Sequence, residues 1–266
     1  MIITSTANPQ IKQIRHLRDR KVRQETGLFY IEGLRIVTEA LQQGLALEQL
    51  IIAPELLTSA VGQQAALEQA RRNAPVLEVS ADVFRSFSLK DGPQGIAAVA
   101  RQQWQSLAAV SPASEDLWVA LDSVADPGNL GTILRTTDSA GGQGVILLDQ
   151  STDPYDPTAL RASMGAAFSQ QLIRASFTEF LDWARRVQLP IIGAAGGSAT
   201  DYHAYRYPTP LVLLMGSERQ GLQRHHLDSC SAVVAIPMQG RSDSLNLAVA
   251  TAVILYEIYN QRRAAA

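Results

Sequence analysis

The sequence predicts an α/β fold with two domains, and three observations lead to that prediction. The chain has 266 residues, which is about the length of two ordinary domains. Hydrophobic residues make up 46% and charged residues 18%, with a formal net charge of −2, and this composition excludes a disordered chain. Short apolar runs alternate with amphipathic segments, which is typical of strands alternating with helices.

The first domain is predicted to be a small α/β layer that begins with a helix over residues 9–20. Asn8 and Pro9 indicate the start of this helix, because asparagine caps helices and proline suits the first turn. Ile11, Ile14 and Leu17 are spaced to share its buried face. The elements that follow are a strand at 28–31, a helix at 34–43, a strand at 49–53, a helix at 61–72, and strands at 76–79 and 96–100.

Residues 105–116, with the sequence QSLAAVSPASED, are small and polar and indicate a linker. They would separate a first domain of residues 1–104 from a second domain of residues 117–266. The second domain is predicted to have strands at 117–121, 145–148, 171–174, 190–194, 211–215 and 232–236, and helices at 130–140, 157–166, 178–187 and 245–262. Continuous apolar runs such as 211–214 are typical of strands buried on both faces, as in a parallel sheet.

Single residues and missing motifs narrow the functional class. The one cysteine, Cys230, excludes a disulfide framework and a cysteine-rich zinc site. His225 and His226 are adjacent, so a helix would point them in different directions, and we expect no metal site. The sequence shows no signal peptide, membrane-spanning run, dinucleotide-binding glycine motif, P-loop or nucleophile elbow. We therefore expect a cytoplasmic protein that does not enter the membrane.

Glycine-containing polar loops follow three predicted strands of the second domain, at 195–198, 216–221 and 237–246. Ligands of open α/β sheets bind beyond the carboxyl ends of the strands, so three such loops predict a pocket there. A fourth segment, 122–135, follows the first strand of this domain. From spacing alone, helix capping for Asn129 and a surface salt bridge for Arg135 are the favoured interpretations.

A run of basic residues lies near the start of the chain, with Asp19 as its only acid. Its members are Lys12, Arg15, Arg18, Arg20, Lys21 and Arg23. Such a run is either a solvated helix face or a contact to a polyanion, and the sequence favours neither.

Three segments resemble, in the same order, the three motifs of the SpoU (TrmH-like) RNA 2′-O-ribose methyltransferases. They are residues 126–135 (DPGNLGTILR), 215–222 (MGSERQGL) and 236–248 (IPMQGRSDSLNLA). Residues 27–33 (GLFYIEG) are similar to the substrate-binding domain that many members carry ahead of the catalytic one.

This resemblance implies a fold, a cofactor and an assembly. The second domain would be tied in a deep trefoil knot, an exception to the rule that chains avoid threading. Its loops would hold S-adenosylmethionine, framed by main chain at Gly216, Ile236 and Leu245, with Met215 and Ala195 beside it. The family's members are homodimers packed through the knotted domain; the apolar face of the last helix would either serve that contact or be buried within one chain.

The resemblance also implies the chemistry. It assigns Arg135 to the ribose 2′-hydroxyl and places Asn129, Glu218, Ser244 and Asn246 around it. Because a guanidinium stays protonated in proteins, we interpret Arg135 as a stabiliser of the developing alkoxide and a phosphate anchor rather than as a base. Glu218 would hold Arg135 in place or receive the proton.

In this hypothesis the basic run, together with Arg35, presents the first domain to RNA phosphates. Members with such an N-terminal domain often modify ribosomal RNA, so we expect large-subunit rRNA as the substrate. A tRNA substrate, base methylation, and a non-catalytic RNA-binding or ribosome-assembly protein on the same fold are the alternatives.

Overall fold

The computed structural model describes residues 2–71 and 75–265. The chain divides into two compact units: the first comprises Met1–Gln102 and Tyr155–Phe168, and the second comprises Gln103–Pro154 and Ser169–Ala266. Both units combine helices with a sheet, as the sequence predicts. None of the helices within the described residues is long and apolar enough to cross a membrane.

The first unit is built on a four-stranded mixed sheet. Its elements up to residue 102 are α1 (Pro9–His16), α2 (Arg20–Thr26), β1 (Leu28–Glu32), α3 (Leu34–Gln42), β2 (Leu47–Ile52), α4 (Ala60–Arg71), β3 (Val76–Glu78), α5 (Ala81–Phe87) and β4 (Ile96–Arg101). The strand order is β1-β4-β2-β3, with β2 and β3 parallel and the other pairs antiparallel. Ile11, Ile14 and Leu17 are buried in its core, as predicted.

The start of this unit differs from the sequence prediction in two helices. The single helix predicted over residues 9–20 is two helices, because the Asp19 side chain accepts a hydrogen bond from the Lys21 amide (2.8 Å) and starts α2. Helix α5 was not predicted; Ser80 caps it through a hydrogen bond from the Val83 amide, and it buries four of its seven residues.

The second unit carries a six-stranded parallel sheet. The elements from residue 117 onward are β5 (Leu117–Asp122), α6 (Pro127–Ser139), β6 (Gly144–Leu148), α7 (Pro157–Ser163), β7 (Gln171–Ala175), α8 (Phe177–Arg186), β8 (Ile191–Ala194), β9 (Leu211–Met215), α9 (Arg224–Leu227), β10 (Ala232–Val234) and α10 (Leu247–Ala265). The strand order is β10-β8-β9-β5-β6-β7, and every neighbouring pair is parallel. Strands β5 and β9 at its centre are fully buried, which explains their continuous apolar sequence.

Helix α7 belongs to the first unit, although its sequence position lies inside the predicted second domain. The buried guanidinium of Arg23 lies 3.3 Å from the Asp156 carboxylate, and the Phe29 and Tyr155 rings pack with centroids 4.6 Å apart. These contacts hold Tyr155–Phe168 against β1 and α2.

The segment predicted as a linker, residues 105–116, is packed within the second unit. Leu107 and Val110 are buried in its core, and the Trp183 indole donates a hydrogen bond to the Val110 carbonyl (3.1 Å). The small polar residues of this stretch suggested an exposed linker, but its two apolar side chains are enough to fix it on the sheet.

Candidate functional site

The loop between β5 and α6 begins the candidate site. Asp126 caps α6, since its side chain accepts a hydrogen bond from the Asn129 amide at 2.7 Å. Capping is therefore the role of Asp126, and the interpretation that gave it to Asn129 is wrong. The side chain of Asn129 is left to make contacts outside its own helix.

Glu218, in the loop after β9, binds this first loop through its carboxylate. It accepts hydrogen bonds from the backbone amides of Ala125 (3.0 Å) and Asp126 (3.1 Å) and from the Asn129 side chain (3.0 Å). Burial on its own would raise the pKa of the Glu218 carboxyl, but the hydrogen bonds from Ala125 and Asn129 outweigh it, and the pKa lies below its ordinary value of 4.5. Glu218 is therefore ionised at neutral pH and is a weak proton acceptor.

Asn246 extends these contacts to the third loop. Its amide nitrogen donates a hydrogen bond to the Asn129 side-chain oxygen (3.0 Å). Its own side-chain oxygen accepts from the amides of Ala248 (2.9 Å) and Val249 (3.3 Å), at the start of α10. The series Glu218–Asn129–Asn246 thus links all three motif segments by side-chain hydrogen bonds.

A cleft of about 250 Å³ opens beside this network, where β8, β9 and β10 end. All five residues predicted to frame the cofactor line it, together with Glu218 and Ser244; the five are Ala195, Met215, Gly216, Ile236 and Leu245. Leu245 and Met238 are 37% and 38% exposed, so the cleft offers apolar side chains that a bound molecule would cover.

The glycine at position 216 is required by its own loop. A methyl group there would overlap the backbone of Gly221, and Ser217 and Gly221 form an isolated bridge that closes the loop. Gly216 therefore lets the second motif fold back tightly at the wall of the cleft.

Arg135 lies on α6, is exposed, and does not line the cleft. Within residues 2–71 and 75–265 its guanidinium forms no ion pair, so neither a surface salt bridge nor a contact with Glu218 is present in the described structure. The expectation that Glu218 holds Arg135 in place therefore finds no such contact in the described structure, where the Glu218 oxygens bind Ala125, Asp126 and Asn129 instead.

Two charged residues of the predicted pocket loops, Arg219 and Asp243, also line the cleft, although the sequence analysis gave them no role. Arg219 follows Glu218 directly, and Asp243 accepts a hydrogen bond from the Ser244 hydroxyl (3.2 Å). Their positions beside motif residues were the available signal. The backbone amides that bind Glu218 carry no signal in the sequence at all.

The residues predicted to contact RNA in the first unit differ in burial and in hydrogen bonding, and Arg18 is both exposed and hydrogen-bonded. Arg23 is 1% exposed and donates to the carbonyls of Leu17 (2.9 Å) and Arg18 (2.7 Å) besides pairing with Asp156, so the prediction that it binds phosphate is corrected. The guanidinium of Arg15 donates to Thr6, and that of Arg18 to the carbonyls that end α5. The exposed members are Lys12, Arg18, Arg20, Lys21 and Arg35.

The fold and the cleft define an α/β protein that binds a small ligand at the carboxyl ends of its parallel strands. Among the described residues, no group of three or more histidine, cysteine, aspartate or glutamate side chains is placed to hold a metal ion. Residues 116–256 match the SpoU rRNA Methylase family, and residues 8–98 match the MRM3-like substrate binding domain. The chain belongs to the SpoU rRNA methylase family.

Two characterised relatives are similar to nearly the whole chain. The 23S rRNA (guanosine(2553)-2′-O)-methyltransferase RlmP of Bacillus subtilis is 27% identical, over 96% of this chain and 98% of its own length. The 23S rRNA (uridine(2479)-2′-O)-methyltransferase of Streptomyces viridochromogenes is 30% identical, over 92% and 87%. The crystal structure of the AdoMet-bound rRNA methyltransferase from Sinorhizobium meliloti superposes with a TM-score of 0.90 at 37% identity, covering 98% of this chain and 97% of that one.

The cleft suits S-adenosylmethionine. Ile236, Leu245 and Ile254 line the cleft and offer the kind of apolar surface that an adenine ring would cover. Among the charged side chains that line the cleft, the two carboxylates of Glu218 and Asp243 outnumber the one guanidinium, Arg219, so the net charge of the lining favours a positively charged sulfonium.

Proposed function

We propose that this chain transfers a methyl group from S-adenosylmethionine to a ribose 2′-hydroxyl of large-subunit rRNA. The observation that carries the proposal is the hydrogen-bonded series Glu218–Asn129–Asn246, which joins the three motif segments beside a cleft lined by all five expected cofactor residues. Membership of the SpoU family supports the reaction. The two relatives are named as 23S rRNA 2′-O-methyltransferases, which favours rRNA over tRNA as the substrate of this chain.

When bound, S-adenosylmethionine supplies a methyl group on a positively charged sulfur. The chain must then align the ribose oxygen with that methyl and stabilise the charge that develops on the oxygen. Arg135 is exposed and free of an ion pair within the described structure, so it supplies positive charge to the alkoxide and to a neighbouring phosphate. Glu218 orients Asn129 and the loop after β5 rather than taking the proton.

Asn246 and Ser244 position the third motif. Asn246 caps α10 and holds Asn129, so the start of that helix is fixed relative to the first motif. Ser244 lines the cleft, and in this proposal its hydroxyl binds the ligand or the substrate oxygen. These contacts pre-organise the site before RNA arrives.

The assembly proposed is a homodimer packed through the last helix. Val249 and Tyr256 of α10 are 48% and 44% exposed, and their spacing of seven residues places them on the same face of the helix, where a second copy of the chain would cover them. A trefoil knot in the second unit and a cytoplasmic location belong to the same proposal and stay predictions. Sedimentation of the protein and of its Val249→Glu variant tests the dimer; equal molecular masses at the monomer value would refute it.

Transfer of labelled methyl to unmodified large-subunit rRNA and, separately, to tRNA tests the function. We expect label only in the rRNA, within a dinucleotide that resists alkaline hydrolysis because its 2′-oxygen is blocked. Label released as ordinary mononucleotides would mean base methylation. RNA binding without any transfer, in protein that binds the cofactor, would favour the non-catalytic alternative.

A further inference from the structure

A buried ionisable pair lies beside the site and takes no part in the mechanism above. Asp122 is the last residue of β5, and His226 lies in α9, the helix that follows the second motif. They are 7% and 3% exposed, and His226 Nδ1 lies 3.5 Å from Asp122 Oδ2. The Phe177 ring packs against the imidazole with a centroid distance of 4.3 Å. Asp122 directly precedes the loop of the first motif, and His226 lies shortly after the second motif, so their contact links these two segments.

The turn that Asp122 begins is strained. Ser123 has a φ of 54°, in the left-handed region that side chains other than glycine seldom adopt, and its hydroxyl donates to Asp122 Oδ1 (3.0 Å). Such a conformation persists only where its surroundings determine it. Further along the same loop, the backbone amides of Ala125 and Asp126 donate hydrogen bonds to the Glu218 carboxylate. The direction of this turn therefore sets the position of the first motif.

The Nδ1 atom of His226 has two neighbours with opposite requirements. The backbone amide of Gln223 donates a hydrogen bond to it at 3.2 Å, which requires a lone pair on Nδ1 and forms part of the cap of α9. The Asp122 carboxylate can form a hydrogen bond with the same atom only if Nδ1 carries a proton. Nδ1 cannot satisfy both partners at once. The neutral ring with its proton on Nε2 accepts from Gln223, and a second proton added to that ring goes onto Nδ1, which then faces Asp122 as a donor.

The surroundings of His226 favour the neutral ring. Burial lowers the pKa of His226 below its ordinary value of 6.5, against the opposing effect of Asp122. The other ionisable groups that face it are His225, whose tilted ring lies 3.8 Å away between centroids, and Asp149 in the loop after β6. Arg224 lies on the same helix as His226, and Asp228 directly follows that helix. At neutral pH the imidazole therefore caps α9 by accepting from Gln223.

We propose that His226 is a proton-controlled positioning residue for the two motif loops. In its neutral form it fixes the first turn of α9, and with it the end of the loop that carries Glu218. When Nδ1 gains a proton the Gln223 hydrogen bond is lost and the ring turns toward Asp122, which alters both the α9 cap and the strained turn at Ser123. The proposal rests on the proposed function only for the claim that these loops carry methyl transfer.

The test compares the whole chain with two matched variants, His226→Asn and His225→Asn. An asparagine oxygen at position 226 can accept from the Gln223 amide but does not titrate. In wild type we expect the methyl-transfer rate to fall, approaching about tenfold per pH unit, below a pKa under the ordinary histidine value. His226→Asn should lose this acid limb while keeping its neutral rate within about threefold, whereas His225→Asn should keep the limb.

A second measurement does not depend on activity. Nuclear magnetic resonance of cofactor-free wild type should show the Gln223 amide shifting with the same midpoint as the His226 ring. A wild-type acid limb in folded His226→Asn, or titration of His226 without a response at Gln223, would overturn the proposal. If no methyl transfer is found with any RNA, the proposed function fails, and the Gln223 titration still decides whether His226 acts as stated.

Discussion

The arginines near the start of the first unit and Arg135 of the second unit make different contacts. In the first unit, Arg15, Arg18 and Arg23 all donate to backbone carbonyls, and Arg23 is buried against a carboxylate as well. In the second unit, Arg135 is exposed and forms no ion pair within the described structure. A dense cluster of cations in a sequence therefore does not separate arginines that hold a fold together from those that can meet a ligand. An arginine that can meet a ligand is distinguished by a guanidinium without acidic or carbonyl partners, and only the structure shows those partners.

The largest effect is expected for Arg135→Ala. Loss of the charge that stabilises the developing alkoxide should lower the methyl-transfer rate by about 10²–10³-fold, as for removal of other preorganised groups. Cofactor affinity should stay close to wild type, since Arg135 does not line the cleft. Single-turnover rates and calorimetric binding of S-adenosylhomocysteine measure the two quantities. A large loss of affinity for that product would sink this role.

Arg23→Met should chiefly change stability. It breaks the buried pair with Asp156 and leaves the Leu17 and Arg18 carbonyls without their donor, so we expect the free energy of unfolding to fall by about 3 kcal/mol. Urea unfolding measures it. Lys21→Met is the control, because the exposed Lys21–Glu25 pair should contribute less than about 0.5 kcal/mol. If Arg23→Met weakened RNA binding and left the free energy of unfolding unchanged, Arg23 would be an RNA contact after all.

Asn129→Ala should reduce the rate by about 10–100-fold, because it removes one charged hydrogen bond to Glu218 and one to Asn246. Ser139→Ala, on the same helix, is the control, since its hydroxyl contacts only the Arg135 carbonyl among the described groups. Methyl-transfer rates of both variants, measured at saturating rRNA, test this expectation. Equal rates for the two variants would mean that the series Glu218–Asn129–Asn246 does not organise the site.

The smallest effect is expected for Arg35→Ala. If this exposed arginine meets a phosphate, RNA affinity should fall severalfold, and the slope of log affinity against log salt should become shallower by about 0.7–0.9. Filter binding over a salt series provides both numbers. Arg85→Ala is the matched control, an exposed arginine already paired with Asp82. Identical slopes in the two variants would remove Arg35 from the RNA contact.

Local sequence patterns predicted most strands well because burial on both faces leaves a continuous apolar run, as in β9. They failed where one side chain changes the local structure, as Asp19 does by starting α2. They also failed for the segment at 105–116, where Leu107 and Val110 find a core that only the folded sheet provides. At the site, the motifs indicated which residues matter, but tertiary contacts decided that Asp126 caps α6 and that Glu218 binds Asn129.

The discontinuous first unit affects the order in which the chain can fold during synthesis. A ribosome releases residues 1–102 before Tyr155–Phe168 emerges. The contacts of Phe29 with the Tyr155 ring and of Arg23 with the Asp156 carboxylate can therefore form only later. During that interval the Phe29 ring lacks one aromatic neighbour, and the Arg23 guanidinium keeps its bonds to the Leu17 and Arg18 carbonyls but lacks its carboxylate partner. A fragment ending at residue 104 would contain all four strands of its sheet but would lack the contacts that Tyr155–Phe168 provide.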